Sequence, residues 1–89
     1  VYVASLGDDS RGAVQILTYE LRKNNIRSEC DTSGKSFKSQ MKIAGTCKFA
    51  CIIGADEIAN NTVSIKNLSD GSQVNIPVNE AVNYLKENL

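Results

Sequence analysis

The sequence predicts an α/β fold: a five-stranded mixed sheet with helices on both faces. Three observations lead there. Over residues 1–53, short apolar runs alternate with segments of helical period, in the order βαβαβ. Two alternating runs then flank Ser69-Asp70-Gly71-Ser72, which reads as a β-hairpin. A last segment returns to helical period. Two βαβ units imply right-handed crossovers and a parallel core, and the hairpin adds antiparallel pairing.

Val1 to Leu6 reads as a buried strand ended by Gly7-Asp8-Asp9-Ser10. A helix follows over Arg11 to Lys23, with Val14, Leu17 and Leu21 on one face. Asp8, Asp9 and Ser10 suit its start by capping and by the macrodipole, and Arg22 and Lys23 suit its end. Asn24-Asn25 stops it, because Asn tolerates the left-handed conformation. Ile26 to Cys30 reads as a second short strand, and Ser36 to Ala44 as a second helix closed by Gly45. Phe49 to Ile53 is apolar almost throughout, hence a central strand. Gly54 to Ala59 reads as a turn or one helical turn. Thr62 to Lys66 and Gln73 to Pro77 are the hairpin strands, and Asn79 to Asn88 is a final helix with Asn79 as its cap.

Eighty-nine residues make one small domain. Its opening, Val1-Tyr2-Val3, is already strand-like and lacks an initiator Met, so a piece of a longer protein is expected. Ten basic and ten acidic residues cancel, so nucleic-acid binding has to come from local clustering. No run is long enough to span a membrane, and no signal segment is visible. Three cysteines, Cys30, Cys47 and Cys51, with no histidine, favour reduced thiols in a cytosol and argue against a metal site. Cys51 suits a small core position. A redox role for Cys47 and Cys51 would need a thiolate, which Lys48 could favour.

Without histidine, Ser-His-Asp and Cys-His chemistry are excluded. Asp56 and Glu57 are adjacent carboxylates on a turn and point apart. Gly7-Asp8-Asp9-Ser10 is not a dinucleotide fingerprint, and its aspartates repel a pyrophosphate. Gly34-Lys35-Ser36 resembles the end of a phosphate loop but lacks the upstream glycine. No nucleophile has a positioned base. The domain by itself is expected to be non-catalytic.

The positive signal lies at Asp31 to Lys42. Between Thr32 and Ile53 stand four lysines and no carboxylate. Lys35, Lys38 and Lys42 share one helix face, while Phe37, Met41 and Ala44 line the opposite one and should meet the sheet. Lysines on such a helix also fit an ordinary solvated surface; their neighbourhood favours function. The loop ahead of the helix leaves strand 2, and the Asp56-Glu57 turn leaves strand 3. In an open α/β sheet, ligands gather at those carboxyl ends. With Lys66 on the next strand, the expectation is one rim of cations, a carboxylate and small polar groups. Lysines would hold phosphates, while Glu57, Ser33 and Asn60 would reach base edges.

At these residues the chain resembles the C-terminal anticodon-binding domain of class II aminoacyl-tRNA synthetases, the group with histidyl, threonyl, prolyl and glycyl members. The resemblance covers nearly the whole chain and is nearest the histidyl branch. It rests on DTSGKSFKSQMKIAG and FACIIGADEIANNTVSIKNLSDGSQVNIPVNEAVNYL. It implies a three-layer α/β/α sandwich that binds the anticodon of a histidine tRNA, with no membrane or DNA partner. It places anticodon contacts at Ser33, Gly34, Lys35, Glu57 and Lys66; helix spacing adds Lys38. It further implies a cytoplasmic, homodimeric parent whose separate catalytic domain uses ATP and magnesium, with no cofactor in this domain. Asn60-Asn61 departs from the glycine of many relatives, but Asn also takes the left-handed turn.

Two other readings share these residues. One keeps the fold in a regulatory or accessory synthetase-like protein that binds RNA or protein. The other is a small flavodoxin-like domain binding a nucleotide or phosphate ligand.

Overall fold

A computed structural model describes residues 1–7, 10–30 and 36–89. Its sheet has five strands in the order β2-β1-β3-β4-β5. Strand β3 (Phe49–Gly54) is central, as its unbroken apolar run requires. It pairs in parallel with β1 (Tyr2–Leu6), which pairs in parallel with β2 (Glu29–Cys30). On its other side β3 meets β4 (Thr62–Asn67) antiparallel, and β5 (Gln73–Pro77) returns along β4.

The helices divide between the two faces. Helix α1 (Arg11–Lys23) and α4 (Ala81–Asn88) pack Val14, Leu17, Leu21, Ala81 and Leu85 against Val3, Phe49, Cys51, Ile53, Val63 and Ile65. Helix α2 (Phe37–Ala44) covers Tyr2, Ala4 and Ala50 on the opposite face. This follows from chain direction. The α1 crossover steps from β1 out to β2, whereas the α2 crossover steps back across β1 to β3. Two crossovers of one hand then lie on opposite faces. Most of the large apolar side chains are on the α1 side, each worth about 1.5–3 kcal/mol when fully buried.

The strand between the first two helices is shorter than its sequence suggests. The register sets Glu29 opposite Tyr2, the first residue of β1, so residues 26–28 lie beyond the strand they would pair with. They are held otherwise: Ile26 N–H donates to Leu21 O at 2.9 Å, and Arg22 Nε donates to Ser28 O at 2.9 Å. Asn25 ends α1 in the left-handed region, at φ 64°.

Two capping expectations are corrected. The Ser10 hydroxyl donates back to Gly7 O at 2.9 Å instead of accepting a helix N–H; Asp8 and Asp9 lie outside the described residues. Asn79 does not cap the last helix. Pro77 leads into a 3-10 turn at Val78–Glu80 that contains Asn79, and α4 begins at Ala81. The segment after β3 is a full short helix, α3 (Ala55–Asn60), which Asn61 ends at φ 53°. Among the described residues no helix is long and apolar enough to cross a membrane.

Candidate nucleic-acid interface

Helix α2 has the two faces its spacing predicts. Phe37, Met41 and Ala44 pack on Tyr2, Ala4 and Ala50, while Lys38 and Lys42 are exposed. Ser36 starts the helix: its Oγ accepts from Ser39 N at 3.3 Å. Lys38 and Lys42 have no ion-pair partner among the described residues. Lys48, the fourth lysine of the acid-free stretch, is diverted. Its Nζ donates to Asn88 O at 3.2 Å and lies 5.7 Å from the Phe49 ring centre. Ser33, Gly34 and Lys35 fall outside the described residues.

Glu57 stands in the first turn of α3, at the carboxyl end of β3. It is half-buried, and its Oε1 accepts from the Gly54 N–H at 2.8 Å. The side chain thus satisfies a free donor of its own helix start, and its charge faces the positive end of the helix dipole. The space is tight: a Cβ on Gly54 would stand 3.1 Å from Glu57 Oε1 and 3.3 Å from Leu6. A carboxylate has a second oxygen, so one hydrogen bond does not exhaust it. Glu57 borders a hollow of about 110 Å³ whose walls include Ala13 and Ile53, so it opens toward the α1 side. Asp56 is exposed beside it, so the adjacent carboxylates do diverge. Asn60 Nδ2 is occupied by Asp56 O at 2.8 Å.

Lys66 does not join that rim. The register puts it opposite Ala50, near the start of β3. Gly54 lies four residue steps along the strand from Ala50, about 13 Å at the usual rise. The reason is strand direction: β4 runs antiparallel, so the carboxyl half of β4 returns to the far end of the sheet. Alternation with the buried Val63 and Ile65 places Lys66 on the α2 side. There the sheet is open beyond β3, because α2 covers mainly β1. Lys66 pairs with Gln73, and Asn75 Nδ2 donates to Ser64 Oγ at 3.1 Å. Lys38 and Lys66 therefore share a face of the molecule, and Lys38 and Glu57 share an end.

The sequence reading missed Gln40. It is 1% exposed and bonded to the backbone of Ser5. The signal was present: Gln40 is three residues after Phe37 and four before Ala44, a polar residue on the inward face of its helix.

The remaining candidates are inert or remote. Burial pushes the Cys51 thiol up to about 12, which opposes the thiolate that redox chemistry needs. No group of three or more His, Cys, Asp or Glu among the described residues could hold a metal ion. A hollow of about 400 Å³ lies between α1 and the 3-10 turn leading into α4, walled by Ala13, Ile16, Leu17, Val78 and Val82. Its only polar lining side chains are Glu20 and Asn79, so it offers an anionic ligand no cation.

Comparison with known proteins places this geometry in context. The family model described as "Anticodon binding domain" matches residues 1–88. A histidine–tRNA ligase of Clostridium perfringens is 42% identical over 90 residues, covering 97% of this chain and 22% of that protein. One from a Geobacillus species is 36% identical, covering 99% of this chain and 21% of its own length. The crystal structure of apo histidyl-tRNA synthetase from S. aureus superposes with a TM-score of 0.85 at 30% identity, over 93% of this chain and 22% of that one. The chain spans about a fifth of the length of the curated relatives it matches.

Proposed function

Because this chain belongs to the anticodon-binding domain family, matched from residue 1 to residue 88, we propose that it binds the anticodon of a histidine tRNA as one part of a histidine–tRNA ligase. The relatives named as such ligases support the amino-acid assignment, at up to 42% identity across nearly the whole chain. The observation that carries the binding surface is the pair of exposed faces on the α2 side, the lysine face of α2 and the open half of the sheet, with Glu57 set apart at the carboxyl rim beside a hollow on the α1 side.

In this reading Lys38 contacts phosphate, a point charge matched to a backbone that carries no sequence information. Ser33, Gly34 and Lys35, which come just before Ser36 in the sequence, are proposed anticodon contacts from the family resemblance alone. Glu57 accepts hydrogen bonds from a guanine edge through the oxygen that Gly54 leaves free. A carboxylate beside RNA is otherwise repelled, so base recognition is what justifies it. Lys66 pairs opposite Ala50, about 13 Å along β3 from Gly54, whose N–H Glu57 holds, on the scale of two extended nucleotide steps. It therefore meets a different nucleotide from the one at the rim.

Ligation itself belongs elsewhere in the parent protein. In this reading ATP and magnesium serve a separate catalytic domain, and this domain carries no cofactor of its own. The catalytic domain of the same chain is then this domain's intramolecular partner, in a cytoplasmic homodimer. The test is a titration of the domain with an anticodon stem-loop of a histidine tRNA and with loops whose anticodon is swapped. Tighter binding of the matched loop, weakening as salt rises, is expected. Equal binding of all loops, or a stronger response to free nucleotide, overturns the proposal.

A further inference from the structure

Gln40 is a polar residue buried at an apolar position. Its Oε1 accepts from Ser5 N at 2.9 Å, and its Nε2 donates to Ser5 O at 3.1 Å with Ser5 Oγ at 3.4 Å. These backbone groups lie on the β2 side of β1. Val1 O receives the Glu29 N–H there, and every second residue of a strand addresses the same neighbour. Pairing with β2 is described through Cys30, opposite Val3. Two residues further on, at Ser5, the partner is the Gln40 side chain. A primary amide carries the same donor and acceptor as a peptide group, so it stands in for one residue of a strand.

The same residue anchors the start of α2. Its backbone N–H donates to Ser36 O at 3.0 Å, closing the first turn. Ser36, Gln40 and Ser5 thus form one hydrogen-bonded connection from the helix start to β1, and Lys38 lies inside it. The other contacts of α2 at this end, Phe37 and Met41, are half-buried and apolar. Apolar burial is non-directional and lets a helix slide. Two directional bonds to a single strand residue do not.

We propose that Gln40 is a positioning residue: it fixes α2 along β1 so that the Lys38 ammonium stands where RNA phosphate arrives. This rests on the anticodon-binding reading above. The probe is the anticodon stem-loop of a histidine tRNA, with Lys38→Ala, Gln40→Met and the double variant compared with the parent chain. Methionine keeps the volume and removes both polar groups. Lys38→Ala should weaken binding several-fold in the parent. In the Gln40→Met background the same change should cost less than about twofold, because contacting or coupled residues are non-additive. A loss of stability alone leaves the two effects additive. The Ser5 amide should also exchange faster with solvent in Gln40→Met.

If Gln40→Met does not fold, Gln40→Glu carries the same cycle, since it keeps the acceptor for Ser5 N–H and sets an oxygen against Ser5 O. Additive effects in folded variants overturn the positioning role while leaving the anticodon reading intact. A parent chain that does not distinguish the matched loop overturns that reading, and this inference with it.

Discussion

Glu57 holds two jobs in one carboxylate, and two substitutions separate them. Glu57→Ala removes the acceptor that Gly54 N–H meets at 2.8 Å. Gly54 is buried, so its donor cannot turn freely to water. Loss of a helix-start acceptor costs about 1 kcal/mol and up to about 2 kcal/mol. In a domain of this size each kcal/mol shifts the melting temperature by about 4–8 °C, so a fall of about 4–16 °C is expected. Glu57→Gln keeps an amide oxygen for Gly54 and loses only the charge at the helix start, worth about 0.3–1 kcal/mol. Stability should therefore fall in the order parent, Gln, Ala. Binding should follow another order. With its oxygen kept by Gly54, the amide turns only its NH2 donors toward the guanine N–H groups. Discrimination between matched and swapped stem-loops should drop by about 1.5–3 kcal/mol, the worth of a hydrogen bond to a charged group, in Gln as in Ala. Thermal unfolding and stem-loop titration on the same preparations read both quantities. If Glu57→Gln keeps the matched-to-swapped ratio of the parent while Glu57→Ala melts low, Glu57 is a helix cap and nothing more.

Lys38→Ala should weaken matched and swapped loops alike and reduce the slope of log affinity against log salt by about one unit; a change confined to one loop would count against a phosphate contact. Phe49, 2% exposed, should cost about 3–5 kcal/mol on change to Ala. Half-buried Phe37 should cost only about 2 kcal/mol, and equal denaturant midpoints for the two variants would contradict the packing. Cys51 gives a pH signature. Its thiol stays protonated in the folded chain up to about 12 but ionises from about 9 when unfolded, so the folded state holds the extra proton between those values and stability falls as pH rises through them. From pH 8 to 10 the loss should be on the order of 1 kcal/mol. Cys51→Ala should lack that part of the alkaline decline, and an identical decline in both proteins would refute the assignment.

The fold was legible because its signals are local. The apolar run at Phe49–Gly54 marked the central strand, the Asp70-Gly71 pair marked the hairpin, with Gly71 at φ 78°, and the Phe37–Met41–Ala44 spacing oriented α2. What escaped depends on register and on contacts between distant residues. The place of Lys66 follows from pairing with Ala50, which a count along the chain cannot supply. The shortness of β2 follows from where β1 begins. The role of Gln40 needs Ser5, 35 residues away. Among the candidate residues, Lys38 and Glu57 stand at the carboxyl end of the sheet, as expected, because both closely follow a parallel strand.

The unequal loading of the two sheet faces has a consequence for how this domain can change. The keel is on the α1 and α4 side, where nearly all the large apolar residues sit. The deck is the other side over β4 and β5, where Lys66, Gln73 and Asn75 carry little of the packing. A substitution on the deck alters what the surface recognises at small cost to folding, whereas one in the keel does the reverse. Such a scaffold can be re-addressed to a different loop sequence by a handful of exchanges on two strands, with its ballast left untouched.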